Sequence, residues 1–311
     1  QIFQRDGGHQ IIFAKPRAIT KLIPRREEKK EEKTESAIVP KTVKNIRMSN
    51  DILVRMPTRG RTEQALTVLK EYRELSTENV KIEVIIDEDD DTMNNTQVLE
   101  KLCRLDCMVS IGKHTNKIDA VNGGTYNDWK ILVLASDDMF PVMCGYDRRI
   151  REEMEKNFPL YDGAIYFNDG YNRDQVLAGD PILCTLPIMG RHLYEQFGYV
   201  YYPGYGSLYC DNEQTKILTA MNRLVFVDEV IVEHRHHAAG KAPYDGLYQY
   251  NDRKYSSADR DLCKAREKTY RENSQFGFDA PPMWLSLLIC STEERKPFLE
   301  RLLVYLRTQM A

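Results

Sequence analysis

The chain has 311 residues, 44 basic and 47 acidic side chains for a net charge of −3, and seven cysteines. That length suits one large domain or two small ones with a sizeable core, and the near balance of charge offers no global case for a nucleic-acid or membrane-surface protein. The scattered cysteines, without a CxxC pair, fit reduced thiols in a cytoplasmic setting rather than a disulfide framework, no stretch approaches the roughly 18 apolar residues of a membrane span, and no signal-peptide layout opens the chain.

Residues 1–48 read as an N-terminal extension. "IPRREEKKEEKTESAIVPK" is a charge run bracketed by Pro24 and Pro40, the composition of a solvated linker. "HQIIFAKPRAITKLI" before it is either the tail of another module or an arm lying on this one. The chain opens on Gln1, which suggests a fragment or a processed product. Regular structure is expected from "DILVRMP", a β-branched apolar run ending at Pro57, as the start of a domain over 49–278. "TRGRTEQALTVLKEYREL" then carries Ala65, Leu66, Val68, Leu69 and Tyr72 at helical spacing. "KIEVIID" is a second strand that runs into the acidic "DEDDD"; "TMNNTQVLEKLCRL" is a helix with Thr92 as its cap; "CMVSIG" is a third strand. "NKIDAVNGGTYN" reads as a helix weakened by Gly123 and Gly124, and "KILVLA" as a fourth strand that ends at Ser136, Asp137 and Asp138.

The alternation predicts an α/β fold: a Rossmann-like, mostly parallel sheet with helices on both faces. Ligands bind at the carboxyl ends of strands in such sheets. Three of the four expected strand ends are polar: Thr58 with Arg59, Asp87 to Asp91, and Asp137 with Asp138. The second half is more mixed. "YDGAIYF", "ILCTLPIMG" and "LVFVDEVIVEH" read as strands, "RHLYEQFG" and "DNEQTKILTAMNR" as helices, the latter capped by Asp211, and a polar helix covers roughly 253–275.

Paired carboxylates at a strand end offer oxygen ligands to a hard divalent cation; the competing role is a helix cap with an acidic first turn. His234, His236 and His237 follow a strand directly and add imidazole to the set. Two carboxylates and one imidazole, with positions left for phosphate oxygens and water, suit Mn²⁺ or Mg²⁺ rather than a closed structural zinc. Asp211 caps a helix in this reading and also serves as a general base if it faces a cleft. The tyrosines at 199, 201, 202, 205 and 209 are either core or a platform for a sugar ring.

The ordered set "PTRGR", "DEDDD", "NKIDAVNGG", "LASDDM", "YCDNE" and "EHRHH" resembles the A-type-fold (GT-A) glycosyltransferases, in particular the inverting family-two group, over about residues 50–255. The resemblance implies a nucleotide-sugar-binding sheet with a mixed acceptor-side half, and transfer of a hexose-like sugar from a nucleotide-diphosphate donor, typically a UDP-sugar, to a hydroxyl on a glycan or other acceptor. It implies that Thr58 and Arg59 lie by the nucleotide, and that Asp87, with Asp89, reads the base. Lys117 approaches the base or phosphates, and Asp137 lies near the ribose and metal. Asp138 and His234 bind the metal, and Asp211 is the base. Departures are Ala135 where the family often has aspartate and Cys210 where it often has glutamate. A nucleotidyltransferase of related fold, which Arg59 and Arg61 keep open, and a non-catalytic nucleotide- or sugar-binding module are the alternatives. In residues 279–311, "ICSTEERKPFLERLL" repeats the layout of residues 50–73, so a second transferase-like module is expected past Ala311, against a terminal strand and helix that complete this domain.

Overall fold

The computed structural model describes residues 2–5, 9–12, 51–78, 80–170 and 182–272. By its contacts the chain divides into Gln1–Phe278 and Asp279–Ala311. The described residues all belong to the first unit, and the expected opening of a second module lies outside them.

Strands β3 (Ile52–Thr58), β4 (Lys81–Asp87), β5 (Met108–Gly112) and β6 (Ile131–Leu134) form a parallel block in the order β5-β4-β3-β6. β3, β4 and β6 are near-continuous apolar runs because helices cover both faces of the sheet. Alternate residues point to opposite faces. On one face, Ile52, Val54 and Met56 pack with Val68, Leu69 and Tyr72 of α1 (Thr62–Leu75) and with Ile150 and Met154 of α4 (Tyr146–Asn157). On the other, Leu53, Leu132 and Leu134 pack with α3 (Lys117–Asn122), α5 (Arg191–Phe197), α6 (Cys210–Ala220) and α7 (Gly246–Glu272). The remaining helix, α2 (Thr96–Arg104), buries Val98 and Leu102.

Beyond β6 the sheet continues through β9 (Ile188–Gly190), β8 (Ala164–Phe167) and β10 (Leu224–Val227). β9 is antiparallel to both its neighbours, whereas β8 and β10 pair in parallel. The sheet is therefore α/β and mostly parallel, with a mixed second half. Among the described residues, no helix is long and apolar enough to cross a membrane.

A buried ion pair interrupts the apolar pattern. Arg55 and Glu83 face each other across β3 and β4 at 2.8 Å, both essentially inaccessible to solvent. Glu83 also accepts the backbone N–H groups of Thr125 (2.7 Å) and Tyr126 (3.0 Å). Gly124 lets the chain pass this closely, since a Cβ there would lie 2.1 Å from the Arg55 guanidinium. The glycine pair thus ends α3 at Asn122 rather than weakening a longer helix.

Other differences from the sequence pattern have local causes. Regular structure starts earlier: β1 (Ile2–Arg5) and β2 (His9–Ile12) pair as a hairpin, and β2 adds antiparallel to β5. "LVFVDEVIVEH" is two strands. β10 stays in the main sheet, and β11 (Val232–His234) pairs with β7 (Met139–Pro141) in a separate ribbon. Thr92 does not cap α2; Asn95 does, accepting the N–H of Val98. Asp211 is not a cap either. α6 begins one residue earlier, after Tyr209, whose φ of 60° turns the chain through the left-handed region.

Candidate active site

The β7–β11 ribbon builds the centre of the site. Its register sets His234 opposite Met139, and the backbone N–H of Arg235 donates to the Asp138 carbonyl at 2.8 Å. This ladder brings His234 Nε2 to 3.5 Å from Asp138 Oδ2. On the other side of the imidazole, Nδ1 lies 3.5 Å from Asp169 Oδ2, just past the carboxyl end of β8. The Tyr248 hydroxyl donates to Asp138 Oδ2 at 2.7 Å, and the Ser136 hydroxyl donates to the other oxygen. Burial opposes ionisation of Asp138, but the hydrogen bond and charge of His234, with Ser136 and Tyr248, hold its carboxyl far below the usual range. His234 responds in the opposite sense. Burial works against its charge, yet Asp138 and Asp169 together push it up to about 9.

Asp137 points the other way. It accepts from Thr58 Oγ1 at 3.3 Å and from Arg61 Nη1 at 2.9 Å. Burial raises its carboxyl, Arg61 pulls it down, and Asp138 next door pushes it up, with a net rise. Arg61 also donates to Asp245 Oδ2 at 3.0 Å and lies 4.5 Å over the Tyr248 ring. At the end of β4, Arg59 bridges Asp87 and Asp89 at 2.6 Å each, and His114 Nδ1 lies 2.7 Å from Asp87 Oδ1.

Asp211 sits in the first turn of α6, where its Oδ1 accepts the N–H of Asn212 at 2.9 Å. It keeps a partly exposed surface on the cleft while protein surrounds the rest. Burial raises its carboxyl above the usual range, even though the charges of Lys117 and His234 pull it back. Lys117, the first residue of α3, is thus close enough to act on Asp211 and on His236.

All nine side chains singled out in the sequence line one cleft of about 1310 Å³. Thr58 and Arg59 come from the end of β3, Asp87 and Asp89 from the end of β4, and Lys117 from α3. Asp137 and Asp138 come from the turn after β6, Asp211 from α6, and His234 from β11. His236 also lines the cleft, and burial with the neighbouring charges of His234 and His237 lowers it to about 4. His237 instead packs its ring 4.2 Å from Tyr248 and 4.8 Å from Tyr244. In the aromatic loop, Tyr201 and Tyr205 are core residues; of the five tyrosines considered, only Tyr201 and Tyr209 line the cleft.

Residues not singled out as ligands in the sequence complete the arrangement. Asp169 follows a strand in "AIYFND", the same polar strand-end signal as Asp87, and was legible on that ground. His114 sits two residues after β5 in the same way. Tyr248 and Asp245 carry no local signal; only the fold brings the start of α7 over Asp138 and Arg61.

The donor set bears on a cation. Among the described residues, no group of three or more His, Cys, Asp or Glu side chains forms a metal cage. Asp138 and His234 are an oxygen and a nitrogen donor beside an open cleft. That suits an ion which keeps waters and shares phosphate oxygens, as Mg²⁺ does, and does not suit structural zinc. The flanking carboxylates favour positive charge at this point, which the imidazolium supplies here and a divalent ion would supply on displacing its proton.

No protein-family model matches the chain, and no curated protein matches it. Among solved structures it is similar to a mannosyltransferase from Pyrobaculum calidifontis in complex with GDP-Man and Mn²⁺, at 16% identity over 67% of this chain and 63% of that one, with a TM-score of 0.46. It is also similar to S. aureus TarS 1-349, at 11% identity over 59% of this chain and 60% of that one, TM-score 0.41. A third is glucosyl-3-phosphoglycerate synthase from Mycobacterium tuberculosis, in complex with Mn²⁺, UDP and glucosyl-3-phosphoglycerate, at 12% identity over 64% and 75%, TM-score 0.43. The chain covers less than two thirds of the first two proteins' own lengths.

Proposed function

We propose that this protein is a metal-dependent, inverting glycosyltransferase that moves a sugar from a nucleotide-diphosphate donor, a UDP-sugar, to an acceptor hydroxyl. One observation carries the reading. A donor pair suited to a hard cation and a separate buried carboxylate of raised proton affinity open on the same cleft, at the carboxyl ends of the parallel strands.

Each residue has a defined task in this reading. Asp87 and Asp89, held by Arg59, form a polar rim for the base, and Thr58 and Asp137 lie by the ribose and phosphates. Asp138 and His234 would hold Mn²⁺ or Mg²⁺, and that ion would supply positive charge against the leaving diphosphate. Lys117 adds a second positive charge to the cleft. Asp211 accepts the proton of the acceptor hydroxyl. The freed oxygen forms its bond to the anomeric carbon as the bond to the leaving phosphate breaks, and the diphosphate keeps that electron pair. One displacement inverts the centre and needs one base. The raised proton affinity of Asp211 suits it to that transfer.

Thermal and chemical unfolding with UDP, with Mn²⁺ or with chelator, tests the assignment. UDP with Mn²⁺ should stabilise the fold by about 2.7 kcal/mol at roughly a hundredfold its dissociation constant, and GDP and ADP should do less. Asp138→Ala should abolish the difference between Mn²⁺ and chelator. An unchanged metal effect in that variant removes Asp138 from the site, and no stabilisation by any nucleotide removes the transferase reading.

A further inference from the structure

A cleft of about 1310 Å³ exceeds the roughly 300–1,000 Å³ of a site for one small ligand. A nucleotide sugar leaves room for a second substrate. Much of the wall around that room belongs to α7. Asn251, Tyr255 and Ser256 follow Tyr248 at positions three, seven and eight along the helix, share its face, and line the cleft with it. Among the described residues, neither the Asn251 amide nor the Ser256 hydroxyl has a hydrogen-bond partner. Unspent donors and acceptors beside an aromatic ring with a hydroxyl at its edge are the groups that recognise a sugar.

The wall is tied to the proposed base. Asp259, on the next turn of α7, accepts the backbone N–H groups of Gly206, Ser207 and Leu208 at 2.8–2.9 Å. The Tyr255 ring packs on Gly206 so closely that a Cβ there would lie 2.1 Å from it. Residues 206–208 lead directly into Tyr209 and the first turn of α6, which carries Asp211. The α7 face and Asp211 are therefore held in one piece, and a ligand seated on the first is registered against the second.

Charge narrows the ligand. The α7 segment contributes no lysine or arginine to the cleft lining; Asp245 at its start is ion-paired with Arg61 at 2.8 Å, which leaves Asp252 on the second turn as the carboxylate this face presents. Lys254 is turned to the rings of Tyr250 and Tyr255, 5.0 Å from each centroid, and does not line the cleft. A phosphate or carboxylate on the acceptor would meet like charge here.

We propose that Asn251, Tyr255 and Ser256 bind the second ring of an electrically neutral oligosaccharide acceptor whose first ring offers its hydroxyl to Asp211. The inference rests on the transferase reading of the cleft. Titration calorimetry on the 311-residue chain tests it, with and without UDP and Mn²⁺. The probes are cellotetraose, maltotetraose, mannotetraose and N-acetylchitotetraose, their monosaccharides, and tetragalacturonate as the anionic control. One neutral tetrasaccharide should bind at least about tenfold tighter than its monosaccharide. Asn251→Ala and Ser256→Ala should each weaken the tetrasaccharide by about three- to tenfold and leave UDP binding unchanged. Tightest binding to tetragalacturonate, or a tetrasaccharide affinity that neither variant alters, overturns the proposal. If UDP with Mn²⁺ binds and no tetrasaccharide does, this inference falls alone. If a tetrasaccharide binds through Asn251 while no nucleotide binds, the α7 face is a sugar-binding surface, and the acceptor role falls together with the transferase reading.

Discussion

Two carboxylates on one turn of α6 look alike in "CDNE" and differ in every physical respect. Glu213 turns into the core, is 5% exposed, and has its oxygens filled. Arg266 Nε donates to both at 2.9 and 2.8 Å, Tyr270 donates at 2.6 Å, and the Tyr205 hydroxyl donates as well. Asp211 turns toward the cleft, and among the described residues its carboxylate receives only backbone N–H groups, that of Asn212 at 2.9 Å and its own. A buried carboxylate saturated with donors holds a structure together. One that is buried, poorly matched and open on one side keeps a capacity to take a proton.

The largest effect should separate the two by chemistry. Asp211→Asn keeps the size of the side chain and the acceptor for the Asn212 N–H, but it cannot take up the proton of an acceptor hydroxyl. Transfer should fall by about 10²–10⁴-fold while UDP binding with Mn²⁺ is unchanged by thermal shift. A variant that keeps most of its transfer rate removes the base assignment.

The second effect belongs to Glu213. On an exposed helix turn Glu213→Gln would be a mild substitution. The packing makes it a stability variant instead. Glu213→Ala strands Arg266, whose guanidinium lies 3.3 Å from the Tyr202 ring centroid, without its carboxylate. The cost should be about 3–5 kcal/mol, as for removal of one partner of a buried ion pair, read by denaturant unfolding. Transfer per folded molecule should stay near the parent's. Should Glu213→Ala stay as stable as the parent, the core side of α6 is not held as described.

That contrast marks how far the sequence was legible. The strand–helix alternation located β3 to β6, and polar strand ends pointed to Thr58, Arg59, Asp87, Asp89, Asp137 and Asp138, because continuous apolar runs and strand-end carboxylates are local signals. Lys117 and the base role of Asp211 rested on the family resemblance. The rest depends on pairing between distant segments. In "LVFVDEVIVEH" the paired carboxylates Asp228 and Glu229 mark the break between β10 and β11, but nothing local says that β11 leaves the main sheet to pair with β7 and put His234 beside Asp138. Nor does "GLYQYND" announce that Tyr248 will reach a carboxylate 110 positions earlier. α4, with the sequence "YDRRIREEMEKN", is mostly charged, and its one apolar stripe, Tyr146, Ile150 and Met154, is narrow though helically spaced; the fold buries Asp147 and Glu153 beside it. Asp211 and Glu213 lie two positions apart in the sequence, and their neighbours in the fold separate a cleft carboxylate from a core one.

A smaller effect tests the core side more finely. Tyr270→Phe removes one hydroxyl that donates to Glu213 and accepts from Arg266 Nη2, and leaves the Arg266–Glu213 ion pair in place. The loss should be about 1.5 kcal/mol, the low end for a hydrogen bond to a charged group, and well below that of Glu213→Ala. A loss as large as that of Glu213→Ala means the hydroxyl, not the ion pair, dominates the cluster.

The smallest effect returns to Asp211 and has the opposite sign. Burial raises its carboxyl in the fold, against the partial relief from Lys117 and His234. A carboxyl raised on folding contributes stability that is complete below its unfolded value, about 3.9, and is lost as pH rises through the folded value. At neutral pH the ionised side chain is therefore a net liability to the fold. Asp211→Asn carries no charge at any pH, so it should be more stable than the parent at pH 7, at the lower end of the roughly 0.5–2 kcal/mol usual for stabilising substitutions. The advantage should shrink as pH falls toward 4, where the parent's carboxyl is protonated too. Glu213→Gln should be less stable than the parent at pH 7, because it replaces a satisfied carboxylate and leaves Arg266 with a neutral partner. Unfolding midpoints for both variants between pH 4 and 8 decide the matter. A stability gain for Asp211→Asn that is flat across that range removes the charge from the explanation, and a loss at pH 7 makes Asp211 a structural residue like its neighbour.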